Sequence, residues 1–349
     1  MAKPLVSILI SAYNAEKYLA ETLESAVGQS WPEKEIIVVD DGSRDGTAEV
    51  AKGFSSRGVT VISQENGGMC SGINTAYNFC HGDYIQYLDA DDVLIPDKIE
   101  RQLSSLSTGD SRRTLLSSPW APFYHRTRRA RFVRNSFWES LSPVEWLLRK
   151  MSEGTHMQNA TWLVSRELAE AAGPWDTTLH YDQDGEYFTR VLVASEGTRF
   201  VPGTGIFYRF SGSNRVSYIG NSDKKKESLF RSMKLHIRYL RSLEESERVR
   251  KACIAYMQIW YGVFYPDKAD IVAEMRTIAA ELGGRLEEPT LPRKYEWIKG
   301  ICGYRLARQA SMFLPQLKSD AFRKYDKLMY HLENYHKYDA WHTAHRHLD

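Results

Sequence analysis

Asp89-Ala90-Asp91-Asp92 places three carboxylates within four residues, directly after the apolar run Tyr84–Leu88. Left unpaired, such charges repel one another. A hard divalent cation relieves that repulsion, because it takes oxygen ligands and leaves positions for phosphate oxygens. The plainer reading is a turn and helix cap ahead of Pro96. Two more polar clusters, Ser11-Ala12-Tyr13-Asn14 and Asp40-Asp41-Gly42-Ser43, also follow short apolar runs. If all three runs are strands of one sheet, the carboxylates gather at one edge, and the cation reading is favoured.

The spacing of apolar residues supports that arrangement. Leu5–Ile10, Ile36–Val39, Val59–Ser63 and Tyr84–Leu88 read as short buried strands. Glu16–Gln29, Thr47–Phe54 and Gly68–Phe79 carry helical spacing between them, and a further helix runs from Pro96 to about Leu106. Strands alternating with helices imply βαβ units and a mostly parallel sheet flanked by helices, the Rossmann-like α/β class. In such sheets the ligand lies outside the carboxyl ends of the strands.

Beyond residue 110 the pattern is less regular. Arg126, Arg128, Arg129, Arg131 and Arg134 suggest a hairpin with one basic face, read as solvated rather than as a phosphate site. Pro143–Met151, Arg166–Ala172 and Tyr187–Ala194 read as helices. Thr161–Val164, Phe200–Val201 and Ile206–Phe210 read as strands, and Gly173-Pro174-Trp175-Asp176 as a turn. His156 either lines a pocket or is structural, and Trp175 either stacks on a sugar ring or fills the core. Residues 1–220 hold 22 Lys/Arg and 27 Asp/Glu, whereas residues 221–349 hold 24 and 17. The first part is expected to be one domain and the second a mostly helical, basic extension. Cys302, Leu306, Ala310 and Phe313 form one helical stripe, ended by Pro315. Phe322, Tyr325, Met329 and Leu332 form a second. Packing against the first domain or a second copy of the chain is the expected role of both, and contact with an anionic membrane surface is the alternative. His342, His345 and His347 could hold a metal, although a partly ordered terminus explains them better.

The 349 residues are 42% apolar and 26% charged, which excludes a disordered or collagen-like chain. The four cysteines form no CxxC pair, which argues against a zinc site or a disulfide scaffold. No run approaches the length of a membrane span. No signal peptide and no nucleic-acid partner are expected, and the cytoplasm, or the inner face of its membrane, is the expected address.

Val6–Asn14, Ile36–Thr47 and Gly82–Asp92, with Asn66-Gly67-Gly68, Gly173-Pro174-Trp175-Asp176 and Tyr181–Leu192, resemble the inverting glycosyltransferases of family 2. The resemblance covers about residues 4–217 and implies the GT-A nucleotide-binding fold. It implies a nucleotide-diphosphate sugar donor (a UDP-sugar), Mn2+ or Mg2+ as cofactor, and a glycan or lipid-linked acceptor. Ser11, Tyr13 and Glu16 match the first nucleotide-contact segment. Asp41, or Asp40, matches the acid that reads the base. Asp89 and Asp91 match the DxD pair, with Asp91 on the metal. Asn66, Gly68, Ala90 and Arg209 complete the implied donor set, and Tyr208, Arg209 and Ser217 resemble a loop that closes over the diphosphate. Asp184 matches the catalytic base.

Two departures stand out. Gln183-Asp184-Gly185-Glu186 replaces the usual Glu-Asp-aromatic sequence, which leaves Asp182 and Glu186 as rival bases. Ile73 stands where the family often carries Arg. Two other functions remain as alternatives. A sugar-nucleotide or glycan-binding module without chemistry would show binding and no turnover. A dinucleotide-dependent oxidoreductase would need a G-x-G-x-x-G turn, and Ser11–Glu16 contains none.

Overall fold

The computed structural model describes residues 3–107, 109–210, 219–220 and 222–345. Strand β1 (Val6–Ala12) is central, with β2 (Lys34–Asp40) and β4 (Tyr84–Tyr87) parallel on its two sides. β3 (Val59–Ser63) pairs parallel with β2, and β8 (Val164–Ser165) closes the far edge antiparallel to β4. The order is β3-β2-β1-β4-β8. Helices α1 (Glu16–Val27), α2 (Thr47–Lys52) and α3 (Met69–Phe79) make the crossovers.

The strands are near-continuously apolar because both faces are covered. Ile8, Ile10, Ile36 and Val38 pack with Leu19 and Leu23 on one face. Leu9, Ile37, Val39 and Tyr87 pack with Ile73, Trp162 and Phe188 on the other. Ile73 thus belongs to the core, which accounts for an apolar residue there.

The chain leaves β1 toward β2 and β3, then returns to β1's other side as β4. The crevice therefore opens at the carboxyl ends of β1 and β4. Register pairs Ala12 with Asp40, Asp41 N–H donates to the Ala12 carbonyl at 2.8 Å, and Leu88 N–H donates to the Leu9 carbonyl at 3.0 Å. The three polar clusters share one rim, as their spacing implies.

Two small sheets extend the rim. β5 (Val93–Leu94), β10 (Ile206–Arg209) and β7 (Trp120–Phe123) form one, and β6 (Thr114–Ser117) with β9 (Gly197–Phe200) the other. α4 (Lys98–Ser104), α5 (Pro143–Glu153), α6 (Arg166–Ala172) and α7 (Gln183–Ala194) pack around them. Helices α8 (Asp223–Leu243), α9 (Glu247–Phe264), α10 (Ala269–Glu281) and α11 (Arg293–His345) follow. Leu229, Met233, Met257 and Met275 join the apolar cluster of Trp146 and Trp162, so the core runs on across residue 220.

Several local expectations are corrected. Helix α4 begins at Lys98 rather than Pro96, whose carbonyl accepts Ser30 N–H at 2.8 Å. Of Thr161–Val164, Thr161 ends a 3-10 turn (Asn159–Thr161), Leu163 makes an isolated bridge to Leu116, and only Val164 belongs to the two-residue β8. Of Phe200–Val201, Phe200 is the last residue of β9 and Val201 lies just beyond it. α11 breaks at Gly303 (φ 80°, ψ 168°), and its backbone continues as helix through Pro315. The arginine run contains no hairpin; only Thr127–Arg129 is regular, as a 3-10 turn. Arg126 is buried rather than solvated. Its Nε donates to Asp326 Oδ1 and its Nη1 to Glu333 Oε1, both at 2.6 Å. The Asp326 carboxylate also accepts the backbone N–H of His125 and of Arg126. Ser217 and His347 lie outside the described residues, as do the side chains of His342 and His345.

Removing one partner of a buried ion pair strands the other charge, at a cost on the order of 3–5 kcal/mol. Asp326→Ala is therefore expected to release α11 from the 124–128 segment. Limited proteolysis should cut residues 304–345 at least tenfold faster than in the unmodified chain, whereas Asp320→Ala on the exposed side should change little. Equal cleavage rates for both variants would contradict the docking role of Asp326.

Candidate active site

The loops after β1 and β2 are laced together. Asn14 N–H donates to Ser43 Oγ, Arg44 N–H to Asn14 Oδ1, and Ala15 N–H to Thr47 Oγ1, at 2.7–3.0 Å. Glu16 accepts Gly46 N–H at 3.0 Å, so this carboxylate already has a loop to hold. Ser11 is half-buried, and Tyr13 is exposed at the rim. Asp40 accepts Ser43 N–H at 3.2 Å. Asp41 is buried, with its carboxylate accepting Gly67 N–H, Gly68 N–H and Gln64 Nε2, while Asn66 Nδ2 donates to its carbonyl. Gly68 holds φ 86°, open to glycine and strained for other residues. Asp41 thus shapes the Asn66-Gly67-Gly68 loop beside the rim.

The Asp89–Asp92 turn lies at the carboxyl end of β4 and is gripped by residues from far along the chain. Asn159 Nδ2 donates to Asp89 Oδ1 at 2.8 Å. Gln158 Nε2 bridges Asp89 Oδ2 (3.2 Å) and Asp92 Oδ2 (2.9 Å). Asp92 is fully buried and accepts Arg209 N–H at 2.8 Å. The Arg209 guanidinium donates to the Asp91 carbonyl, the Tyr124 carbonyl and Glu21 Oε2, and lies between the Tyr18 and Phe123 rings at 4.5 and 4.3 Å. It is 2% exposed, so the structure makes it a bolt across the turn. Ala90 also belongs to the turn; its carbonyl accepts Thr22 Oγ1 at 3.0 Å.

Burial, then the charge of Asp91, pushes the Asp89 carboxyl up to about 7, against the Asn159 and Gln158 hydrogen bonds. Burial and the same neighbouring charges push Asp92 well above the carboxylate range. Ionised together, the three carboxylates would repel one another, and the donor atoms they offer are oxygens, which fits a hard cation. Among the described residues no three His, Cys, Asp or Glu side chains converge into a complete metal cage. Asp91 is the half-buried acid of the turn.

Asp184 enters the same field from α7. Its charge adds to the rise of the Asp89 pKa, after burial and Asp91. Burial, then Asp182, raises the Asp184 pKa, and Lys150 and His156 oppose the rise. His156 is exposed to solvent yet flanked by protein, which lowers its pKa while Asp184 pulls the other way. The rivals are committed elsewhere. Glu186 is buried in a bidentate pair with Arg190 (2.8 and 2.9 Å) and accepts Tyr239 OH. Asp182 adopts a left-handed backbone (φ 59°), accepts Ser232 Oγ at 2.6 Å, and lies 3.8 Å from His236 Nε2. Trp175 is core, stacked on Tyr187 at 4.3 Å.

Gln158, Asn159 and Lys150 were not singled out from sequence as site residues. Asn159-Ala160-Thr161 matches a glycosylation pattern, and nothing local to it signals a partner for Asp89.

Residues 7–173 match the model of glycosyl transferase family 2. That segment is a family 2 glycosyl transferase domain. Chondroitin synthase of Escherichia coli is 44% identical over 99 residues, covering 28% of this chain and 14% of that protein. The GT-A fold recurs in S. aureus TarS (residues 1–349, in complex with UDP-GlcNAc), with TM-score 0.62, 17% identity, and 80% of each chain covered. It recurs in the mannosyltransferase PcManGT of Pyrobaculum calidifontis (in complex with GDP-Man and Mn2+), with TM-score 0.53, 17% identity, and 93% of this chain and 87% of that one covered. The chain spans 60% and 41% of the length of two rickettsial relatives, both uncharacterized glycosyltransferases.

The geometry explains the Gly185 departure. A Cβ there would stand 2.0 Å from Asp182 Oδ1. Gly185→Ala must therefore displace the Asp182 carboxylate from Ser232, with an expected loss of about 1–3 kcal/mol. In an Asp182→Gly background the same substitution should cost less than half as much. Thermal denaturation of the four-member cycle reads this coupling, and additive losses would remove the steric explanation.

Proposed function

We propose that this chain is a metal-dependent inverting transferase that moves a sugar from a nucleotide-diphosphate donor, a UDP-sugar, to a hydroxyl of a glycan or lipid-linked saccharide in cell-surface polysaccharide synthesis. The observation that carries the reading is the gathering of the Ser11–Asn14, Asp40–Ser43 and Asp89–Asp92 clusters on one rim of the parallel sheet, within the segment that matches family 2. The fold likeness to nucleotide-sugar-bound transferases and the local likeness to chondroitin synthase support donor and acceptor class.

On this reading Ser11, Tyr13 and the loop shaped by Asp41 cradle the nucleoside, and Asp89 faces the ribose or sugar. Asp91 would hold Mn2+ or Mg2+, whose charge, when bound, makes the diphosphate a better leaving group. Arg209, Gln158 and Asn159 keep the acidic turn in place. Asp184 takes the acceptor hydroxyl's proton while the oxygen attacks the anomeric carbon from the face opposite the nucleotide. One carbon–oxygen bond forms as the carbon–oxygen bond to phosphate breaks, the proton rests on Asp184, and the configuration inverts.

A thermal-shift screen of UDP- and GDP-sugars with manganese, and again with chelator, tests donor and metal together, because ligand binding to the folded state raises apparent stability. Asp91→Asn should abolish the manganese-dependent part of the shift. Asp184→Asn should retain donor binding and lower transfer roughly 10²–10⁴-fold. Unchanged transfer would move the base elsewhere, and donor binding without turnover on any acceptor would favour the binding module.

The pH profile adds a sign. The base works ionised, and its folded pKa is raised. Activity should therefore fall as pH drops through a value above the ordinary aspartate pKa of about 3.9. An acid limb in kcat at or below the ordinary value would contradict the assignment.

A further inference from the structure

Past Gly303, α11 turns its polar side toward the catalytic domain. Asp326 and Glu333 meet Arg126, and Ser319 Oγ lies 3.0 Å from Tyr124 OH. The opposite side carries Leu306, Phe313, Leu314, Leu317, Leu328 and Leu332, all exposed. At helical pitch these six fall within an arc of about 100°, facing away from Asp326. The arrangement reverses the usual one, in which the apolar stripe faces the core. The stripes expected to pack against the first domain therefore lie open.

The rim of the stripe identifies what covers it. Lys318 and Lys327 border it on its two sides, Lys324 falls within it, and all three are exposed. Asp320 sits beside them but is paired with Arg323 at 3.1 Å. Exposed Trp297 and Ile301 precede the kink, and exposed Phe322 and Tyr325 follow it. A matching surface is apolar at its centre and anionic at its border. A second copy of α11 would bring its own lysines to the same border. An anionic bilayer supplies both properties, with acyl chains under the stripe and headgroup charge against the lysines. Among the described residues no helix is long and apolar enough to cross a membrane, so α11 would lie on the surface.

We infer that α11 is an interfacial helix that seats this chain on an anionic lipid surface through the Leu306–Leu332 stripe and its lysine border. The inference is independent of the chemistry proposed for the cleft. The full chain should co-sediment with vesicles of equal parts phosphatidylcholine and phosphatidylglycerol, and far less with phosphatidylcholine alone. Leu317→Glu/Leu328→Glu and, separately, Lys318→Glu/Lys324→Glu/Lys327→Glu should each weaken binding at least about tenfold. Both sets lie on exposed positions, so unchanged melting curves should accompany the loss. Equal binding to neutral vesicles, or no binding to either kind, overturns the inference. So does a light-scattering dimer that the leucine variant dissolves in a chain that ignores vesicles, which would give the face to a second copy.

Discussion

Mutual repulsion within Asp89-Ala90-Asp91-Asp92 is the constraint on which the rest of the site depends. Left alone, the turn would open or take up protons. It is held by side-chain amides at Gln158 and Asn159 and by Arg209 at the end of β10. Each restraint needs its own scaffold. Arg209 reaches Asp92 because β10 pairs antiparallel with β5 immediately after the turn, Phe207 against Val93. The Gln158–Asn159 corner is fixed from below by a buried polar network. Lys98 Nζ donates to Gln86 Oε1 and Gln102 Oε1, and those amides donate on to the Ala160 and Thr161 carbonyls. A fully buried lysine among neutral oxygens has its pKa pushed well down by burial, and such an arrangement persists only where its hydrogen bonds are well made.

What was legible in the sequence follows from the range of the interactions. β1 to β4, their helices and the shared rim are written in local periodicity and in the acids that end each run. The grip on Asp89 comes from residues some seventy positions later, and no spacing announces it. Arg209 is a clear case of identity without geometry. A cation near an acidic turn invites a ligand role, yet its donors meet protein oxygens on all sides. Gly185 is the converse, a departure from family pattern that becomes intelligible once Asp182 is seen occupying the space of its missing Cβ.

The C-terminal helix shows why amphipathic pattern fixes a stripe but not its direction. The apolar positions of α11 are as regular as those of a core helix. Its docking is decided instead by Arg126, which has left water and needs anionic partners in fixed positions. Asp326 and Glu333 supply them from the polar side, and the leucines are turned outward as a consequence. The basic excess of residues 221–349 is visible in composition, but it takes the fold to show lysines beside an uncovered apolar surface.

The same balance of opposing fields governs Asp184. A general base must be ionised at working pH yet basic enough to accept a proton, so neither a freely solvated carboxylate nor one locked by a cation suits the task. Burial and Asp182 push the Asp184 pKa up, while Lys150 and His156 pull it down. Glu186, two positions on, shows the other outcome, with both oxygens taken by Arg190 and nothing left to offer a substrate. Asp182, two positions back, is likewise tied to Ser232. Of the three acids at the start of α7, Asp184 is the one set between opposing influences, which is the poise that the proposed role of base requires.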